Sequence, residues 1–140
     1  MANNVSGAIE EIYQTLSHVS GLRPTPAAMP TNAAFPFAVV YPQNSVFKHA
    51  PEGVMTGLHN IVIEVHLALA TDISRAVEAV TAFSDPVANA VFKDLIDGDY
   101  TVICTNGEIT SEFVYSDWNG VQTLALRFVV QAVKVQADIA

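Results

Sequence analysis

The side chains that could do chemistry in this chain are few and far apart. The one cysteine, Cys104, is a nucleophile only if the fold brings a histidine beside it. Its strand-like surroundings favour a small buried hydrophobe. Four histidines, His18, His49, His59 and His66, could ligate a metal, but no two stand at the short spacing of a zinc motif. They read as surface or interface histidines. Asp94, Asp97 and Asp99 in KDLIDGDY resemble a fragment of a calcium loop, but the spacing departs from an EF-hand and favours a solvated turn. Glu10 and Glu11 are helix neighbours about 100° apart and cannot work as an acid/base pair. There is no GxGxxG and no phosphate-binding loop. Nothing assembles a nucleophile, a base and an oxyanion site, so the sequence predicts no enzyme, no cofactor and no metal.

Composition points to a partner of another kind. Hydrophobic residues are 51% of the 140 and charged residues only 14%, against about 25% charged in an ordinary soluble domain. Part of the surface is therefore expected to be covered by something other than water. The apolar run Ile61 to Ala70 is broken by Glu64 and His66 and is too short to span a membrane. The opening MANNVSGAIEEIYQ lacks a basic region followed by an apolar one, which predicts a cytosolic product. A net charge of −8 with scattered basic residues argues against phosphate-backbone binding. The length predicts a single domain, residues 1–140.

Periodicity supplies the elements. Val5, Ile9, Ile12, Tyr13, Leu16 and Val19 form an apolar stripe on a helix over roughly residues 4–20, stopped by Gly21. RPTPAAMPTN, residues 23–32, reads as an extended connection. FPFAVVYP and NIVIEVHLALA read as strands. Between them, residues 43–59 (QNSVFKHAPEGVMTGLH) read as a long loop, and connections of that length are functional or disordered. Asp72 caps a helix carrying Ile73, Ala76, Val77, Val80 and Phe83. Asp85-Pro86 divides it from a second bearing Val87, Val91 and Leu95, which ends at Gly98.

The last 40 residues carry two Asn-Gly pairs, Asn106-Gly107 and Asn119-Gly120, the signature of two-residue hairpins. The second sets Trp118 opposite Val121, Tyr115 opposite Leu124, Phe113 opposite Leu126, Ser111 opposite Phe128 and Ile109 opposite Val130, read as one core face. The first sets Cys104 against Ile109 and Val102 against Ser111, making a three-stranded meander. Glu112 then faces Arg127 as a cross-strand ion pair of roughly 0.2–1 kcal/mol, or as a salt bridge at a subunit contact. The reverse face of the last strand, Thr123, Ala125, Arg127, Val129, Gln131, Val133 and Val135, is half apolar. The expected fold is α+β: a mainly antiparallel sheet of about five strands, with an N-terminal helix and a central helix pair packed on one face.

This order of elements, with FPFAVVYP, HNIVIEVHLALA, DISRAVEAVTAFSDPVANAVF and the closing SEFVYSDWNGVQTLALRFVVQAVKV, resembles the tail terminator (tail completion) proteins of long-tailed bacteriophages. The resemblance spans nearly the whole chain and rests on layout. It implies a structural virion protein, made in the host cytoplasm and placed in the neck region of the tail. There it would form a hexameric ring on the head-proximal end of the tail tube, end tube polymerisation and join the tail to the head-tail connector or stopper protein. Genomic DNA would pass through the lumen without specific binding. Other ring-forming neck or tail-tube subunits share the layout. A small-ligand-binding α+β module is the alternative of a different class.

On this basis the expected ring contacts are Glu112, Ala125, Arg127, Val129, Gln131 and Val133 on the sheet's outer face. The 43–59 loop is expected to act as an arm toward a neighbouring subunit or the tube, through Val46, Phe47, Lys48 and Met55. The competing expectation is that those apolar side chains fold back over the domain's own core.

Overall fold

Asn4 starts the first helix by accepting the Gly7 amide on its side chain at 2.8 Å. Helix α1 then runs Val5–Leu16 and gives way to turns ending at Gly21, whose φ of +82° suits a residue without a Cβ. In the computed structural model, which describes residues 4–24, 35–97, 103–104, 107–118 and 120–139, the remaining elements are β1 (Arg23–Pro24), β2 (Phe37–Ala50), β3 (Val54–Leu69), α2 (Ile73–Asp97), β4 (Ile103–Cys104), β5 (Ile109–Trp118) and β6 (Val121–Asp138). The fold is α+β, and every described strand pairing is antiparallel except the short β1–β2 contact. The strand order is β1-β2-β3-β6-β4, with β5 also on β6.

One face of the sheet holds the core. Ala38 and Val40 from β2, Ile61, Ile63, Val65 and Leu67 from β3, and Leu124, Leu126, Phe128 and Val130 from β6 pack against Ala8, Ile12 and Leu16 of α1 and Ala76, Phe83, Val87 and Val91 of α2. The central position of β3 explains its texture. It is paired on both edges, so residues 61–68 are buried throughout, polar Glu64 and His66 included.

Four expectations are corrected. The helix pair is one helix, α2, with Pro86 inside it. Proline lacks an N–H and crowds the carbonyl four residues back, but Phe83, Val87 and Val91 bury one continuous stripe across the site, and that packing carries the helix through. Residues 43–59 are not a loop. They form the outer half of a β2–β3 hairpin, paired from Asn44↔Asn60 to Ala50↔Val54 and closed by Pro51, Glu52 and Gly53. Gly53 donates to the Ala50 carbonyl at 3.1 Å and has φ +80°, so Pro-Glu-Gly makes a type I turn followed by a left-handed residue.

The expected β4–β5 pairing is replaced by β4 on β6, Cys104↔Val133 and Ile103↔Lys134. β6 is 18 residues long and serves β5 and then β4 along one edge. Asn106 and Val102 lie outside the described residues. Finally, the β5–β6 register is as expected at all five pairs, and Glu112 faces Arg127. Yet alternation places Val121 on the reverse face, and Phe113 and Tyr115 stand 45% and 70% exposed rather than in a core; the Trp118 side chain lies outside the described residues. At the start of the same strand, Ile109 packs against the helix-side core.

Candidate functional site

Two features of the sheet concentrate unusual residues. The first lies on the reverse face, where alternation along β3 puts Glu64 and His66 side by side. Glu64 is 3% exposed and His66 is fully buried. A buried carboxylate needs partners, and four strands supply them. Tyr41 of β2 donates to Oε2 at 2.8 Å. Ser116 of β5 donates to Oε1. Arg127 of β6 brings Nε and Nη2 to 3.4 Å from Oε2, and His66 Nε2 lies 3.1 Å from Oε1. His66 Nδ1 meets Thr123 Oγ1 at 2.6 Å, and Thr123 donates onward to the Ser116 carbonyl. Phe37 stacks on the His66 ring at 4.7 Å.

Burial alone would push the Glu64 carboxyl up, but hydrogen bonds from His66, Ser116 and Tyr41 outweigh it and hold it at about 2. The same carboxylate, after burial, pushes the Tyr41 phenol up to about 12. The arrangement ties β2, β3, β6 and β5 to one charge. Ala125, beside His66 in the ladder and fully buried, keeps a minimal side chain between Glu64 and β5.

The second feature is the arm formed by residues 43–60 of β2 and β3 with residues 133–138 of β6. On its helix-side face Phe47 lies edge-on to His59, centroids 5.5 Å apart, and Ser45 Oγ meets His59 Nδ1 at 2.6 Å. Burial pushes the His59 imidazole down from its ordinary value. Gly57 sits between the rings; a Cβ there would come within 2.6 Å of His59 Nε2 and 3.3 Å of Phe47 Cε1. Val46, Phe47 and Met55 are 57%, 59% and 38% exposed, so they do not fold back over the core, and Lys48 is exposed beside them.

The expected outer-face contacts divide. Glu112 is exposed, 3.7 Å from Arg127 Nη1, and Arg127, Val129 and Gln131 are half-buried. Ala125 and Val133 are fully buried within the chain. Val133 and Val135 join the helix-side core because the strand changes parity at Ala132. There β6 bulges against Asn60, whose Oδ1 accepts the Ala132 amide at 3.0 Å, and Ala132 takes φ +52°. The centre of the reverse face is closed as well, with Val39 and Val62 1% exposed. Exposed large apolar side chains stand instead on the arm, Val46, Phe47 and Met55, and on β5, Phe113 and Tyr115.

Of the other candidates, His18 and His49 are exposed, Cys104 is placed only as a strand residue, and the Asp94, Asp97 and Asp99 side chains lie outside the described residues. Among the described residues there is no group of three or more metal-ligating side chains, and no helix is long and apolar enough to cross a membrane. The Glu64 cluster was not among the residues expected from sequence; its signal is two polar residues at i and i+2 in an otherwise apolar strand, which alternation places on one face. No protein-family model matches the chain, and no curated protein matches it.

Proposed function

We propose that the chain is a structural subunit that assembles into a ring, and that the ring is a tail terminator: a hexamer closing the head-proximal end of a phage tail tube and joining it to the head-tail connector or stopper. The observation that carries this reading is the arm. Three strands run past the core with Val46, Phe47 and Met55 exposed, in a chain whose charged content is only 14%, and exposed apolar surface of that kind marks an interaction site. Two edges support it. Beyond Tyr41 no described strand pairs the outer edge of β2, and none pairs the outer edge of β5. Near the core the β2 edge is closed by Tyr13, whose hydroxyl accepts the Val40 amide at 2.9 Å. A ring needs two different patches on each subunit, and the arm and the β5 edge are two such patches. The net charge of −8 suits a lumen that passes DNA without holding it.

The test is molar mass in solution with negative-stain imaging, alone and with tail tubes. Sixfold rings, or rings capping tubes, are the expected outcome, and a protein that stays monomeric and leaves tubes uncapped removes the reading. One observation favours the small-ligand alternative: a hollow of about 480 Å³ between α1 and α2, lined in part by His18, Val19, Pro86, Asn89 and Lys93. A ligand-dependent rise in Tm, abolished by Asn89→Leu, is its mark.

A further inference from the structure

The helix-side face of the arm holds a hollow of about 160 Å³ walled by Val5, Phe47, Met55, His59 and Val135, with Gly57 in its lining. An apolar cavity of roughly 150 Å³ accepts one benzene ring, so the hollow has room for one aromatic side chain. At the diagonal corner of the same sheet face, β5 presents Tyr115 and Phe113, 70% and 45% exposed. One copy cannot fill its own hollow: Tyr115 is level with Leu124 and the hollow with Val135, a separation of roughly 35 Å along β6. We propose that Tyr115 of one copy inserts into the arm hollow of the next, with Phe113 against its rim. This rests on the ring reading above and names the contact that closes the ring.

Geometry and charge agree with a second copy as the occupant. Tyr115 and the hollow share the helix-side face, so the contact continues the sheet from one subunit to the next without turning it over. β2 and β5 run antiparallel within one copy, as the three antiparallel pairings β2–β3, β3–β6 and β6–β5 require. The β5 edge of one subunit therefore meets the arm of the next in the antiparallel sense. On the opposite face of each element stand exposed Glu112 on β5 and exposed Lys48 on the arm, opposite charges placed to pair as the rings engage. The two patches differ, so the contact is heterologous and closes into a ring when the rotation per subunit allows.

The experiment uses the full chain with Cys104→Ala as background. Met55→Cys and Tyr115→Cys variants are made singly, mixed, and oxidised. A disulfide-linked dimer that forms only in the mixture, and a ladder from the doubly substituted chain, are expected. Tyr115→Ala, at a site too exposed to disturb folding, should weaken assembly about thirtyfold with an unchanged circular dichroism melt. If wild type assembles but Tyr115→Ala assembles equally well and the mixture does not cross-link, this contact is wrong and the ring stands. A monomeric wild type that leaves tubes uncapped removes the ring itself. Phenol that raises the wild-type Tm without competing with assembly would make the hollow a small-molecule site and overturn the proposal.

Discussion

At the scale of single residues, Glu64 is a buried charge whose hydrogen bonds contribute to stability. Its carboxyl is held at about 2, below the ordinary 4.5, so the sign is that of a depressed acid. The contribution is fully present above about pH 4.5 and disappears as the pH falls through 2. The shift corresponds to about 3 kcal/mol. Glu64→Gln should therefore lower the urea midpoint at pH 7, with a cost of about 3 kcal/mol expected for leaving Arg127 and the donors badly matched. The gap from wild type should narrow steadily below pH 4.5; a gap independent of pH would show that charge is not what the cluster holds. Gly57 makes a second residue-scale case. Gly57→Ala drives a methyl against His59 and Phe47, and should loosen the arm. Faster amide exchange at residues 45–59, with the core amides unchanged, is the expected readout.

At the scale of elements, strands were legible wherever a period of two ran unbroken, and illegible where a bulge changed its phase. The Asn119-Gly120 region and the alternation of β5 and β6 fixed a register that the ladder reproduces from Ile109↔Val130 to Trp118↔Val121. Past Val130 the same alternation failed, because Ala132 opens a bulge and sends Val133 and Val135 to the core. The hairpin of β2 and β3 was hidden in the same way by the register shift between Pro42 and Asn44. Its Pro-Glu-Gly turn was nevertheless in plain view. Pro86 misled in the opposite direction, since a local breaker was overridden by long-range packing that no local window contains. Ala132→Gly tests the bulge: relief of the positive φ should raise stability by about 1 kcal/mol, read as a higher urea midpoint. Asn60→Ala, which removes the acceptor of the Ala132 amide, should lower it by about 1 kcal/mol.

At the scale of the whole molecule, the polar cluster and the arm divide the sheet into a part that folds and a part that reaches. The candidate site was legible from sequence only in its apolar side chains. Val46, Phe47 and Met55 stood out as residues a solvated segment has no reason to hold, whereas the outer-face stripe depended on a parity that the bulge had already broken. The distinction can be measured with aspartate substitutions of equal chemistry. Val133 is fully buried in the helix-side core, so Val133→Asp places an unpaired charge there and should unfold the domain. Val46→Asp with Phe47→Asp acts on side chains more than half exposed. It should leave the far-ultraviolet spectrum and the melting temperature within a few degrees of wild type, yet reduce the molar mass to that of one chain. A folded monomer from the arm variant beside an unfolded Val133→Asp is the pattern the proposed ring contact predicts. An arm variant that still assembles would move the subunit contact off the arm, and one that unfolds would make those side chains part of the core.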